Sequence, residues 1–209
     1  MSRLTHIFRI RRQRGFTLVE TLAAISLITI AIVAPMALTV QSLQAAYYAR
    51  DQITASNLAQ EGIEAIRSVR DGNILATAKG TATDLFQGIW PVCQTACYVD
   101  ATTFTNQPTD LNPPITACNG VCPALRTGST DINSVDQLYG YNPSWTPTNF
   151  TRTVVVTVVR YDSSTPPIPQ EIRVAVTVSW QTAAYKSEHI TLYENLYNWI
   201  NTGSAGTPS

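Results

Sequence analysis

The sequence predicts an α+β protein in which a long N-terminal α-helix is followed by an antiparallel β-sheet. One observation is an apolar segment after residue 15, which continues into a segment with apolar residues at three- and four-residue steps. The other is a group of β-branched runs in the last third of the chain, where apolar residues alternate with period two. We expect the apolar face of the sheet to pack on the amphipathic half of the helix.

The chain begins with a basic segment and continues with an apolar one. Residues 1–15 contain five arginines and no acid, Glu20 is the next charge, and residues 21–49 contain none. About 20 apolar residues cross a bilayer as a helix, so residues 16–43 are predicted to span a membrane. The arginines favour a cytoplasmic N-terminus. We therefore expect the chain in the cytoplasmic membrane, with the residues after about Gln41 outside the cytoplasm.

This N-terminus has three candidate interpretations. A secretory signal peptide has an apolar region of about 7–15 residues and a small-residue cleavage site, and this run is too long and has no clear site. A signal anchor would hold a surface domain on the membrane. The third interpretation rests on the local sequence RRQRGFTLVE, where Gly15 ends the basic segment, Phe16 opens the apolar one and Glu20 follows four residues later.

This arrangement closely resembles the signal of the type IV prepilin family, which contains type IV pilins and the pseudopilins of type II secretion and competence systems. The resemblance extends from about Arg11 to Gly72, where LAQEGIEAIRSVRDGN is similar to PilV-like and pseudopilin-I-like members. It implies a pilin-like fold, cleavage after Gly15, N-methylation of Phe16 and a structural role without catalysis. The apolar helix would form the core of a filament on the cell surface.

The resemblance also implies partners. These are other pilin or pseudopilin subunits, the prepilin peptidase/N-methyltransferase, the inner-membrane assembly platform and membrane lipid. The alternative is a signal-anchored surface protein whose disulfide-stabilised domain binds a ligand or adhesion target. The sequence does not decide among adhesion, DNA uptake and protein secretion, although Glu20 argues against the tip pseudopilin of type II secretion, which typically lacks that acid.

Two residues of the apolar helix carry specific expectations. Thr17 and Glu20 have the spacing of a capping box, and Glu20 would also meet the positive end of the helix dipole. The resemblance adds a compatible role that we favour, in which the Glu20 carboxylate pairs with the freed amine of Phe16, on a neighbouring subunit, and sets the assembly register. Pro35 removes a helical hydrogen bond and predicts a kink or local unwinding, although membrane helices tolerate proline.

Residues 44–72 are predicted to continue the helix with one amphipathic face. Asp71-Gly72-Asn73 supplies a stop signal. A helix from Thr17 to Arg70 would be about 80 Å long, so it requires lipid or other subunits along its first half and a globular domain along its second. The predicted buried stripe is Ala55, Leu58, Ala59, Gly62, Ile66 and Val69.

Residues 73–149 are predicted to form loops and short strands, because they are rich in Thr, Asn, Pro and Gly and include Pro113-Pro114. They contain all four cysteines, as two C-x₃-C motifs. A Cys₄ zinc site is one reading, but the commoner zinc spacing is C-x₂-C. The expected extracytoplasmic location favours two disulfides, with three possible connectivities. The cysteines are Cys93, Cys97, Cys118 and Cys122.

Residues 150–200 are predicted to form the antiparallel sheet. Arg152 to Arg160 is a β-branched run, Gln170 to Gln181 alternates with period two, and a third strand follows around residues 189–194. Short connections between them favour a meander. Residues 201–209, NTGSAGTPS, are predicted to be a flexible tail.

Composition excludes several function classes. The chain has 14 basic and 14 acidic residues, which does not favour nucleic-acid binding. Cleavage after Gly15 would remove five positive charges and leave a mildly acidic body, in which His189 is the remaining histidine. No sequence pattern predicts a catalytic triad, a phosphate-binding loop, a metal site or a cofactor. We therefore do not expect an enzyme.

Overall fold

The computed structural model of the chain describes residues 15–81, 84–102, 115–129, 138–165, 167–182 and 186–199. The expectations for residues 1–14 of the leader, for Pro113-Pro114 and for the tail at 201–209 lie outside the described residues. The chain divides into two compact units, Met1–Tyr47 and Tyr48–Ser209. We call the described residues from Tyr48 to Trp199 the head.

The architecture is α+β, as the sequence predicts. In the part of the chain that the structure describes, one long helix precedes seven strands, and the last three strands are much longer than the first four. The elements are α1 (Leu18–Ala78), β1 (Cys97–Val99), β2 (Ile115–Ala117), β3 (Ala124–Gly128), β4 (Leu138–Gly140), β5 (Thr146–Tyr161), β6 (Pro169–Gln181) and β7 (Ser187–Tyr197).

Helix α1 ends later than the sequence predicts. Asp71-Gly72-Asn73 remains helical, and α1 ends at Ala78. The amide of Asn73 donates to the carbonyls of Leu85 and Gln87, both at 2.9 Å, so this turn is held by the chain that follows. The stop is Gly80, whose φ of 74° suits a residue without Cβ, and its N–H bonds the Thr77 carbonyl at 2.9 Å.

The described strands form one antiparallel sheet. β5, β6 and β7 make the predicted meander, in which Val154 is opposite Val176 and Val176 is opposite Leu192. On its other side β5 pairs with β1 and β3, while β2 pairs with β1 and β4 with β3. The short strands therefore extend the sheet beyond the meander that the sequence indicates.

The core of the head lies between the second half of α1 and one face of the sheet. The predicted stripe on α1 is buried, together with Ala65, and the sheet contributes Val154, Val156 and the alternating residues of β6. The closest approach is at Gly62, where an added Cβ would lie 2.9 Å from Cγ1 of Val176 and 3.0 Å from Cδ of Arg152. The absence of a side chain at this position thus sets the distance between helix and sheet.

Replacing Gly62 with alanine is expected to destabilise the head, although alanine favours a helix by about 0.5–1 kcal/mol. The new methyl group would push against a β-branched side chain in a packed core, which costs about 1–3 kcal/mol. Gly72→Ala is the matched control, because an added Cβ there has no atom within 4 Å. Urea denaturation should show a lower midpoint for Gly62→Ala and a higher one for Gly72→Ala. Equal midpoints would contradict the close approach.

Candidate functional site

The N-terminal site is an exposed stretch of chain that leads directly into α1. Gly15, Phe16 and Thr17 precede the helix, which begins at Leu18. The Phe16 side chain is 79% exposed, and an atom added at Gly15 would meet nothing within 4 Å. The Gly15–Phe16 peptide bond lies outside regular secondary structure.

Thr17 caps the helix. Its Oγ1 accepts a hydrogen bond from the Glu20 N–H at 3.3 Å, and its carbonyl accepts from the N–H groups of Glu20 and Thr21 at 3.0 and 3.2 Å. This is the threonine half of the predicted capping box. Within the described part of the chain, the reciprocal bond from the Thr17 N–H to the Glu20 carboxylate is absent. The carboxylate is exposed in the first turn, where the helix dipole favours a negative charge.

The apolar half of α1 is exposed along its length. Among the described residues, α1 is the one helix that is long and apolar enough to cross a membrane, and none of its most apolar window is buried. Side chains as large as Leu18, Leu27 and Met36 are each about two-thirds or more exposed. An apolar surface of this extent requires lipid or protein around it.

Pro35 lies inside α1, and helix is assigned continuously on both sides of it. The Pro35 carbonyl, whose usual donor is the N–H of Thr39, also accepts from Thr39 Oγ1 at 2.8 Å. The local unwinding that was one expectation is therefore not seen, and the kink stays a prediction.

A second cluster, which the sequence analysis missed, joins the second half of α1 to the sheet within the head. Arg152 on β5 is fully buried. Its Nη1 donates to the Leu58 carbonyl at 3.1 Å and to Oε2 of Glu61 at 2.9 Å, and its Nη2 donates to the Val99 carbonyl at 2.8 Å. One guanidinium thus joins α1, β1 and β5.

Glu61 supplies a carboxylate to this buried cation. Burial raises the pKa of nearby Tyr141 to about 12, against the opposing charge of Arg152, so the tyrosine is neutral at physiological pH.

The sequence did contain a signal that the Arg152 side chain is buried. In the alternation of β5, Arg152 shares a face with Phe150 and Val154.

The four cysteines form two disulfides, Cys93–Cys97 and Cys118–Cys122, with Cα atoms 4.9 Å apart in each. This supports the disulfide prediction and settles which of the three connectivities occurs. All four cysteines are disulfide-bonded in this structure. The Cys118 N–H donates a hydrogen bond to the Ala96 carbonyl at 2.9 Å, so the two rings that the disulfides close lie at the same end of the β1–β2 pair. Closing each short ring contributes about 2 kcal/mol.

Comparison with known protein families gives a match at the N-terminus. Residues 10–34 match the family model described as the prokaryotic N-terminal methylation motif. No curated protein and no solved structure matches the chain. The matched residues include Gly15, Phe16 and Glu20 and extend into the apolar half of α1. The motif points to a structural protein and to membrane anchoring through α1. The chain therefore carries the type IV prepilin signature, which implies a type IV pilin-like prepilin that is processed by a prepilin peptidase.

Proposed function

We propose that the protein is a minor pilin or pseudopilin, a structural subunit of a type IV pilus-like filament. The peptidase cuts between Gly15 and Phe16, the new N-terminus is methylated, and the subunit leaves the cytoplasmic membrane to join the filament. The observation that carries this proposal is the processing motif followed at once by an apolar helix that is exposed throughout.

Assembly follows from the surface chemistry of α1. In the membrane, lipid surrounds its apolar half, and in a filament the same surface packs against the helices of neighbouring subunits. Such packing needs no further chemistry from the subunit. The head, whose core is closed by its own sheet, would lie on the outside of the filament.

The register of assembly is assigned to Glu20. A carboxylate within lipid or among packed apolar helices is costly unless it is paired. Cleavage creates a positive amine at Phe16, and within the described residues the Glu20 carboxylate makes no hydrogen bond. We assign the pairing to the amine of a neighbouring subunit. The N-terminus is cytoplasmic before assembly in this scheme, because the arginines of the leader favour that side.

Replacing Gly15 with leucine is expected to block processing, because a large side chain would occupy the position next to the scissile bond. In cells with a prepilin peptidase, the wild-type chain should begin with methyl-Phe16, and most of the variant should retain the leader. Mass spectrometry of the N-terminal peptide measures both. Gly72→Leu is the control, since it makes the same change at another exposed glycine. A wild-type chain that retains Met1 or Ser2 would instead support a signal-anchored surface protein.

A further inference from the structure

The residues of α1 that directly follow its apolar segment are of the types found at membrane–water interfaces. Tyr47, Tyr48 and Arg50 follow the apolar stretch within a few residues. Tyrosine and basic side chains are the groups that settle at the headgroup level of a bilayer. If the apolar half of α1 spans a membrane, as we propose above, Tyr48 and Arg50 lie at the lipid headgroups.

Contacts within the head show which part of the sheet reaches the level of Tyr48. Arg67 on α1 pairs with Glu194 at 2.6 Å, and Glu194 is opposite Val174. Gly62, earlier on α1, approaches Val176, which is later on β6. β6 therefore runs antiparallel to α1.

This direction places Thr182, which follows β6, and Lys186, which precedes β7, beside the start of the head. From Gly62 back to Tyr48 the helix covers about 21 Å at 1.5 Å per residue, and from Val176 to Thr182 the strand covers about 20 Å at 3.4 Å per residue. Thr182 and Lys186 lie together, because the Thr182 N–H donates to the Lys186 carbonyl at 3.0 Å. In agreement, the pKa of Lys186 is raised chiefly by Glu188, with a smaller contribution from Tyr48.

The charged groups at this level present their cations outward. Arg50 and Asp51 are paired at 3.0 Å, with side chains 69% and 16% exposed. Lys186 and Glu188 are paired at 2.6 Å, with side chains 74% and 20% exposed. In both pairs the acid lies beneath and the base faces solvent, so an approaching surface meets positive charge first.

We propose that Tyr48, Arg50 and Lys186 bind the anionic headgroups of the membrane that holds α1 before the subunit enters a filament. The proposal rests on the proposed membrane-spanning role of α1. Two features specify the occupant: the site is continuous with the apolar segment along the chain, and its outward charge is complementary to anionic lipid.

The chain contains two lysines, which permits an internal control. Lys186 lies in the proposed site, whereas Lys79 follows the far end of α1. The full-length chain is reconstituted in nanodiscs of phosphatidylglycerol or of phosphatidylcholine, and both lysines are methylated with formaldehyde and an uncharged borane. Peptide mass spectrometry gives each rate. We expect Lys186 to react about fivefold more slowly in phosphatidylglycerol, with Lys79 unchanged, and expect high salt to remove the difference.

Variants test whether Arg50, the second cation of the proposed site, contributes to headgroup binding. Arg50→Gln is expected to reduce the protection of Lys186 in phosphatidylglycerol. Arg70→Gln is the matched control, because Arg70 also pairs with the next residue, Asp71, but lies further along α1 in the head. Arg70→Gln should leave the protection of Lys186 as in the wild type, and equal losses in the two variants would overturn the role of Arg50.

The outcomes separate this proposal from the proposed function. Equal Lys186 rates in the two lipids, or equal slowing of Lys79, would overturn the headgroup site while leaving the prepilin role intact. Failure of the chain to insert into either nanodisc would overturn the membrane-spanning role of α1, and the headgroup site with it.

Discussion

Replacing Glu61 with alanine is expected to lower the free energy of unfolding of the head by about 3 kcal/mol. The change leaves the guanidinium of Arg152 fully buried without the carboxylate that lies 2.9 Å away. Removing one partner of a buried ion pair costs about 3–5 kcal/mol, because the remaining charge is uncompensated. The Glu61 side chain is 37% exposed, so water reaches the vacated position and the loss is at the lower end of that range.

Urea denaturation of the full-length chain in detergent, followed by tryptophan fluorescence, measures this loss. Glu64→Ala is the control, because Glu64 lies one turn further along α1 and its side chain is 63% exposed in its pair with Arg67. Such a surface pair contributes about 0–1 kcal/mol.

A double variant tests the cause of the loss. Glu61→Ala combined with Arg152→Met removes the buried charge together with its partner, and apolar replacement of a buried pair is often neutral. The double variant should therefore be more stable than Glu61→Ala alone. A double variant that is no more stable than Glu61→Ala would contradict the uncompensated charge as the cause of the loss.

The periodic patterns of apolar residues predict the main helix and strands well, because each pattern involves only residues that are close together along the chain. Apolar residues at positions 55, 58, 59, 62, 66 and 69 predict the buried stripe of α1, and the alternation from Ile172 to Trp180 predicts the buried face of β6. The predicted end of α1 was wrong, because contacts with residues further along the chain decide where the helix ends. Gly72 is a local stop signal, but Asn73 is held by carbonyls of Leu85 and Gln87, and such distant contacts override a local preference.

Features that depend on pairing across the chain could not be predicted. The parity of Arg152 indicates the buried face of β5, but nothing in its surroundings identifies Glu61 or the Val99 carbonyl as its acceptors. The pairing of the cysteines was open among three connectivities. The proximity of Lys186 to Tyr48 likewise arises only when β6 runs back along α1.

The candidate processing site, by contrast, is a local motif. Gly15, Phe16 and Glu20 lie within six residues, so their spacing is visible without a fold. The structure adds that the Gly15–Phe16 bond precedes the helix and that Thr17 caps it. The partner of Glu20 on another subunit lies beyond a single chain, and it requires a functional test.

Replacing Glu20 with alanine is expected to leave cleavage after Gly15 intact and to reduce incorporation into filaments by at least about tenfold, the factor that corresponds to about 1.4 kcal/mol. In the proposed filament the carboxylate would no longer compensate the amine of Phe16 among packed apolar helices, where an unpaired charge is costly. The measurement compares the variant in sheared filaments with the variant in membranes, and the N-terminal peptide confirms cleavage.

Two further variants separate register from capping. Glutamine can replace glutamate in a capping box but carries no charge, so Glu20→Gln should be impaired nearly as much as Glu20→Ala if the ion pair matters. Thr17→Ala removes the cap that the Glu20 N–H now uses, at a cost of about 1 kcal/mol to the helix, and should still assemble. The opposite pattern, with Glu20→Gln normal and Thr17→Ala impaired, would assign Glu20 to the helix terminus alone. The three variants alter the charge and the cap separately. Their ranking in filament incorporation therefore identifies which of the two properties assembly requires.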